Sequence, residues 1–324
     1  MSAGRAVAAR LVLAGFVALV VVGVSGIGAL FAPTGGGIDE GPAHPEYEAS
    51  GLAPDRLESS GQANPKGDVG VVLFDRSHGN RFNDEEVASL VRAINSAGGE
   101  VRYTGITTGF RGGLRQADVL VVIDPARQYG SAEVDAIEQF VEDGGRLVIV
   151  GEPNRKTVEA SGLSASLVTR RSKVSTLASS FGISFGTQYL YDMEHNDGNF
   201  KNVVTSPPDR TEAAAVEGVE QVTMYTATSV SVNRGRVLLR TAGTAERGNE
   251  DPRRGFPVAA LAADGSVMAV GDKTFLGEQY HAVADNDVFV QRVVEFMTAA
   301  NHRPADAPSG TEEPETPTNA SAEE

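Results

Sequence analysis

Hydrophobic positions divide the chain after residue 67 into short apolar runs separated by amphipathic segments. Three runs are almost continuously apolar: "DVGVVLFD" (68–75), "DVLVVID" (118–124) and "RLVIVGE" (146–152). A run of this kind is typical of a strand that is buried on both faces of a sheet. We therefore expect three strands of a parallel sheet here.

The segments between these runs have the spacing of amphipathic helices. One helix presents Val87, Leu90, Val91 and Ile94 on one face, and a second presents Val134, Ile137, Phe140 and Val141. Asn83 with Glu86 predicts an N-terminal cap for the first helix, and Ser131 is the predicted N-cap of the second. Double glycines at 98–99 and 144–145 predict the helix ends. Strands that alternate with helices favour parallel pairing with right-handed crossovers.

The second half of the chain has a different pattern. We expect a helix over 173–182, a long polar loop over 185–210 and alternating strands at 219–225 and 236–241. A strand hairpin over 256–273 turns at Asp264-Gly265, and a last helix covers 286–299. The predicted fold is one α/β domain of three layers. Its sheet is mostly parallel, of the amidotransferase or flavodoxin type, with antiparallel strands late in the chain.

Residues 11–32 carry no charge, and as a helix they would span about 33 Å, enough to cross a hydrocarbon core. Arg5 and Arg10 precede this segment, which places residues 1–10 in the cytoplasm and the main domain outside the cell. A cleaved signal peptide is the competing interpretation. We expect a single-pass cell membrane protein that contacts the membrane through 11–32.

The remaining segments have the composition of flexible chain. Residues 33–66 are rich in glycine, proline and polar residues and predict a tether, which leaves 67–300 as the α/β domain. Residues 301–324 predict a disordered acidic tail. Asn319 in that tail begins a sequon and is a candidate glycosylation site.

Composition excludes several classes of function. The 324 residues carry a net charge of −15, which argues against nucleic acid as a partner. Cysteine is absent, so disulfides, thiolate metal sites and a cysteine nucleophile are excluded. Only five of the 28 basic residues are lysines. An acidic, lysine-poor chain favours a high-salt environment, and a GC-rich genome is the alternative explanation.

Candidate chemistry gathers at the predicted strand ends. In an open α/β sheet, ligands bind outside the carboxyl ends of the strands. The candidate ligand cleft consists of Asp75, His78, Asn80, Asp124, Glu152 and Asp272. The alternative is that these side chains only cap helices and turns, which the Asp-Pro turn at 124–125 favours.

Motifs for metals and cofactors are missing, so we expect neither. The stretch "DMEHNDGN" (192–199) lacks the spacing of a calcium loop, and no zinc pattern occurs. The sequence also has no phosphate-binding loop of the G-x-x-x-x-G-K-[ST] type.

Several stretches resemble the family of domains of unknown function 4350. They are "FDRSHGNRFNDEE" (74–86), "GRLVIVGEP" (145–153), "GDKTFL" (271–276) and "ADNDVFVQRVVEFM" (284–297). This resemblance implies a membrane-anchored protein of archaeal or bacterial type, with a fold like class I glutamine amidotransferases. The fold is also similar to the auxiliary subunit of gliding-motility-type transporters and to intraflagellar-transport relatives. The family implies no established activity.

Amidotransferases of this class use a cysteine at a sharp strand-to-helix turn, and this chain has Glu152 at the corresponding corner. The nearest serine stretch, "SGLSAS" (161–166), lacks the second glycine of a serine elbow. We therefore expect no catalytic residues, and a binding or scaffolding role with a protein partner of the cell envelope or a transport complex. The alternatives are a transporter's substrate-binding domain, or a hydrolase or small-ligand-binding protein that uses the strand-end carboxylates and His78. A hydroxyl bonded to His78 would favour the hydrolase.

Overall fold

The computed structural model describes residues 67–302 except 106–108, 162–163, 210, 212 and 249–251. The strands are β1 (Val71–Phe74), β2 (Glu100–Tyr103), β3 (Val119–Ile123), β4 (Arg146–Val150), β5 (Arg155–Ser161), β6 (Ser164–Arg170), β7 (Ile183–Tyr191), β8 (Asn202–Ser206), β9 (Val222–Tyr225), β10 (Thr228–Val232), β11 (Gly235–Thr241), β12 (Glu246–Arg247), β13 (Pro257–Ala262) and β14 (Val267–Val270). The helices are α1 (Ala88–Ser96), α2 (Phe110–Leu114), α3 (Ser131–Glu142), α4 (Ser175–Ser180), α5 (Glu278–His281) and α6 (Asn286–Thr298). Short 3-10 helices lie at Glu85–Val87, Ala214–Val216, Ala263–Gly265 and Thr274–Leu276.

Nine strands form one mixed sheet in the order β2-β1-β3-β4-β14-β13-β11-β8-β9. The pairings from β2 to β14 are parallel. The pairings from β14 to β9 are antiparallel. Two smaller sheets contain β10-β7-β12 and β5-β6.

The prediction of a mostly parallel sheet is therefore wrong, since parallel pairing stops at β14. Parallel neighbours need a crossover of about a dozen residues or more, usually a helix. The predicted polar loop over 185–210 instead contains most of β7 and all of β8. Much of β7 is exposed, so its polar residues gave no apolar run in the sequence. The hairpin over 256–273 is confirmed as β13 and β14.

Helices cover both faces of the sheet and create two hydrophobic cores. Successive strand residues point to opposite faces, so Val121 and Val148 join one core while Leu120 and Leu147 join the other. Helices α1 and α6 pack in the first core, and α2, α3 and α4 pack in the second. The overall class is α/β.

The structure agrees only in part with the capping residues predicted at the starts of two helices. The predicted pairing of Asn83 with Glu86 is confirmed, because each side chain accepts a hydrogen bond from the other's backbone N–H at 2.9 Å. Asn83 is not the N-cap, however: Asp84 precedes the 3-10 helix at Glu85–Val87, and Val87 precedes α1. Ser131 is not an N-cap; it is the first residue of α3, and Gly130 precedes the helix. The side chain of Glu133 accepts the Gly130 N–H at 2.8 Å and takes the capping role.

The prediction of a single-pass membrane protein with an extracellular domain also requires correction. In the described part of the chain, no helix is long and apolar enough to cross a membrane. Its longest helix, α6, has 13 residues, against about 20 for a membrane span. The predicted anchor (11–32), the tether (33–66) and Asn319 lie outside the described residues.

Candidate functional site

The carboxyl ends of four adjacent strands bring acidic side chains to one edge of the sheet. Asp75, Asp124, Glu152 and Asp272 follow β1, β3, β4 and β14, which are neighbours in the sheet order. All four carboxylates are buried. Their surroundings, and not water, must therefore decide their charge.

Asp75 is the most heavily hydrogen-bonded of these groups. Its Oδ1 accepts the N–H and the hydroxyl of Ser77 at 2.9 and 2.6 Å and the Thr104 hydroxyl at 2.9 Å. Its Oδ2 accepts from His78 Nδ1 at 2.7 Å and from the Tyr129 hydroxyl at 2.5 Å. Burial by itself would raise the pKa of Asp75, but the bonds from His78, Ser77 and Tyr129 outweigh it and lower the pKa to about 2.

His78 lies between two carboxylates. Its Nδ1 faces Asp75, and its Nε2 lies 3.2 Å from Glu133 Oε2. The imidazole stacks on the Tyr129 ring with centroids 3.8 Å apart. Burial would lower the pKa of His78, but the hydrogen bonds and charges of Asp75 and Glu133 raise it. This environment stabilises the imidazolium form.

Ser77 lies within hydrogen-bond reach of His78, which is the observation that would favour a hydrolase. Ser77 Oγ lies 3.1 Å from His78 Nδ1. Ser77 and Glu133 meet opposite ring nitrogens of His78, as the serine and the acid do in a serine–histidine–acid triad. The difference from a triad is a second acid: Asp75 lies 2.7 Å from the nitrogen that Ser77 meets, and the Ser77 hydroxyl donates to Asp75. The raised pKa of His78 also disfavours transfer of the serine proton to the ring.

Asp124 forms a separate ion pair. Arg81 Nε and Nη2 donate to its two carboxylate oxygens at 2.9 and 2.6 Å. Asn80 donates to the Ile123 carbonyl at 3.1 Å. These contacts hold the loop after β1 against the end of β3, as the capping interpretation expected.

Glu152 and Asp272 are the other two buried carboxylates at this edge. Glu152 accepts the Lys273 N–H at 2.9 Å and contacts Arg155, while Asp272 accepts the Thr274 hydroxyl at 2.5 Å and the Tyr225 N–H at 3.1 Å. Burial, followed by the charge of Asp272, raises the pKa of Glu152 to about 8. Burial also raises the pKa of Asp272. Two carboxylates in this environment do not both ionise readily.

The six predicted cleft residues thus reach one edge but divide into three contact groups. In the first group, Asp75 bonds to His78. In the second, Asn80 and Asp124 bond between the loops that follow β1 and β3. In the third, Glu152 lies beside Asp272. A cavity of about 540 Å³ adjoins this edge, lined by Asp84, Glu85, Glu86, Ala88, Lys273, Thr274, Gly277, Glu278, Gln279 and Tyr280. None of the six lines this cavity.

Sequence reasoning missed Thr104, Tyr129, Glu133 and Arg155. Glu133 had a detectable signal, since a glutamate at the third position of a helix commonly caps its start. Tyr129 lies in the loop after β3, and no pattern in the sequence connects it with Asp75. Within the described ranges, no group of three or more histidine, cysteine or acidic side chains could hold a metal ion.

Replacing Tyr129 with phenylalanine tests the hydrogen bonds to Asp75. The lowered pKa of Asp75 adds stability above its unfolded pKa of 3.8, and this stability is lost as pH falls toward about 2. Without the Tyr129 hydroxyl the pKa of Asp75 rises. As the pH falls, the Tyr129→Phe variant should therefore begin to lose this stability at a higher pH than the wild type does. At neutral pH we expect a loss of about 1–3 kcal/mol.

Urea unfolding from pH 2 to pH 7 measures both effects. Tyr189→Phe is the matched control, because that tyrosine lies on the partly exposed strand β7. An unchanged acid midpoint in Tyr129→Phe would contradict this account of Asp75.

Together, the mixed sheet and the buried acidic edge define an α/β domain with three groups of hydrogen-bonded polar side chains at its strand ends. A profile of the family described as "Domain of unknown function (DUF4350)" matches residues 90–294. The chain belongs to this family, which confirms the resemblance seen in the sequence. The match begins within α1 and therefore excludes the stretch 74–86.

Solved structures are similar in fold. The "mmIFT52 N-terminal domain" aligns with a TM-score of 0.56 and 13% identity over 70% of this chain and 97% of that one. A putative ThuA-like protein from Parabacteroides merdae ATCC 43184 aligns with a TM-score of 0.42 and 13% identity over 74% and 93% of the two chains. Cytoplasmic protein STM3548 from Salmonella typhimurium aligns at 0.45 and 12%, over 72% and 99%. A comparison with curated protein sequences gives no match.

At 13% identity the first similarity concerns the fold alone. The two lower TM-scores carry no functional argument. A shared fold does not define a function, which depends on the residues at the site.

Proposed function

We propose that this DUF4350 domain is a non-catalytic binding domain whose ligand is another protein. The observation that carries the proposal is the state of the strand-end side chains. Asp75, His78, Asp124, Glu152 and Asp272 are all buried, and each already has hydrogen-bond partners within the domain. A reacting group needs access to its substrate, and these groups are occupied with holding loops together.

The corner after β4 supports the same proposal. Gly151, Glu152 and Pro153 are buried there, and the chain continues into the hairpin β5–β6 and not into a helix. A nucleophile elbow needs a strand-to-helix turn that exposes its side chain. Glu152 instead accepts the backbone N–H of Lys273 and joins two loops.

A hydrolase centred on Ser77 and His78 is the second candidate, because their side chains lie 3.1 Å apart. It would require His78 to be neutral and Ser77 to leave Asp75. The raised pKa of His78 and the 2.6 Å bond from Ser77 to Asp75 oppose both requirements.

The high-salt environment suggested by the composition stays a prediction.

A fluorophosphonate probe, which reacts with activated serine hydroxyls, separates the two candidates. We expect the full chain and Ser77→Ala to show equal, background labelling. We also expect a protein partner, identified by cross-linking in the native cells, to bind both purified forms with equal affinity. Labelling that depends on Ser77 would overturn the proposal in favour of the hydrolase.

A further inference from the structure

The hairpin β5–β6 is an unusual element of this domain. Its strands pair only with each other among the described strands, with Val158 directly opposite Leu167. A two-stranded sheet is marginally stable alone in water, and its outer edges offer unpaired N–H and C=O groups. Among the described strands, none pairs with either outer edge of this hairpin.

One face of the hairpin is exposed and apolar at its centre. Val158 is 69% exposed and Leu167 is 64% exposed. Lys156 and Thr169 form the next pair on this face and are also exposed. Alternation along the strands puts Arg155, Thr157 and Val168 on the opposite face, where they are half-buried. The exposed pair Val158–Leu167 is therefore not explained by packing within the domain.

Contacts at the base fix where the hairpin projects. The Asn154 N–H donates to the Thr187 carbonyl of β7 at 2.8 Å, and Arg155 pairs with the buried Glu152. The hairpin consequently starts at the carboxyl edge of the main sheet.

Charge identifies the kind of partner. Residues 155–173 contain five basic residues and one acidic residue, in a chain with a net charge of −15. Lys156, Arg170 and Arg171 are exposed. Two copies of this hairpin would repel each other if paired edge to edge, because like charges would face like charges. An acidic segment would be attracted to the same edge.

We infer that the β5–β6 hairpin is a docking site for an extended acidic segment of another protein. The segment adds a strand to the hairpin edge and places alternate apolar side chains against Val158 and Leu167, as in other cases of strand addition. Acidic side chains two positions away from these apolar ones lie on the same face of the added strand, near Lys156 and Arg171. This inference rests on the proposed binding function and names its surface and its partner chemistry.

The test uses the full chain and two labelled ten-residue peptides with serine at every second position. Between the serines, one peptide carries glutamate and valine in turn, and the other carries lysine and valine in turn. Fluorescence anisotropy should show binding of the glutamate peptide only. Val158→Ser combined with Leu167→Ser should weaken that binding at least about tenfold, as should Lys156→Glu combined with Arg171→Glu. Met193→Ser, at a methionine that is 64% exposed elsewhere, is the control and should leave binding unchanged.

Three results would overturn the inference. The first is equal binding of the two peptides, and the second is unchanged binding by both hairpin variants. The third is tighter peptide binding by a chain that ends at His302, which would make this chain's own acidic tail the occupant. Failure of the proposed function is distinguishable, because it would appear as Ser77-dependent labelling whatever the peptides do.

Discussion

Replacing Val148 with aspartate should unfold the domain. Val148 is 2% exposed on β4, between Val121 of β3 and Met268 of β14. An aspartate there would be an unpaired carboxylate in an apolar core, or would take up a proton to avoid that state. Several kcal/mol of destabilisation, about 4 or more, is comparable with the whole stability of a typical domain.

Circular dichroism during urea and thermal unfolding measures this loss. Val158→Asp is the matched control, since it also replaces a strand valine but at a position that is 69% exposed. We expect that control to change the free energy of unfolding by less than about 1 kcal/mol. A Val148→Asp protein that folds with unchanged stability would show that β4 is not a central strand.

The second large effect is a dependence of stability on pH that passes through Glu152. The pKa of Glu152 is raised from 4.5 to about 8, chiefly by burial and then by Asp272. A raised carboxyl pKa means that the folded state holds the proton more tightly. Its stabilising contribution is thus present below about pH 4.5 and is lost as the pH rises through about 8. The slope approaches roughly 1.4 kcal/mol per pH unit.

Glu152→Gln removes this ionisation while keeping the shape and an oxygen that can accept the Lys273 N–H. We expect the variant to match the wild type near pH 5 and to exceed its stability by about 2 kcal/mol or more near pH 8. Any slope that remains belongs to His78 and Asp272, whose pKa values are also raised. The exposed Glu142 provides the control Glu142→Gln, which should follow the wild type.

Urea unfolding at half-unit steps from pH 5 to pH 9 provides the comparison. A variant that is less stable than the wild type at every pH would show that Glu152 is ionised in the folded protein. In that case the contact with Arg155 would lower the pKa of Glu152 by more than burial raises it.

The acidic edge was predictable in position but not in arrangement. The sequence placed Asp75, Asp124, Glu152 and Asp272 at strand ends because each directly follows an apolar run. It could not reveal that β14 inserts beside β4, which makes Asp272 the neighbour of Glu152. Nor could it reveal that Tyr129 reaches Asp75 across 54 positions of the chain. Such contacts depend on how loops fold over the edge of the sheet.

The sequence pattern did not predict the strands that have one exposed face. β7 and the pair β5–β6 contain many polar residues, and the pattern of apolar runs did not identify them as strands. The backbone groups of β7 are satisfied by a partner distant in sequence, β10, in a register that runs from Tyr189 with Thr228 to Ile183 with Val232. Pairing between distant segments is a tertiary property, and it overrides local propensity.

The sequence by itself determined the α/β class, the buried strands β1, β3 and β4, the helices α1, α3 and α6, and the absence of a cysteine nucleophile. These follow from local periodicity and composition, which act through burial of apolar side chains. Only the tertiary structure decided where parallel pairing ends, that the charge of Asp272 helps to raise the pKa of Glu152, and that His78 lies between Asp75 and Glu133. Those outcomes depend on distances between side chains that are far apart in the sequence, and the electrostatic free energies that set their pKa values vary steeply with such distances.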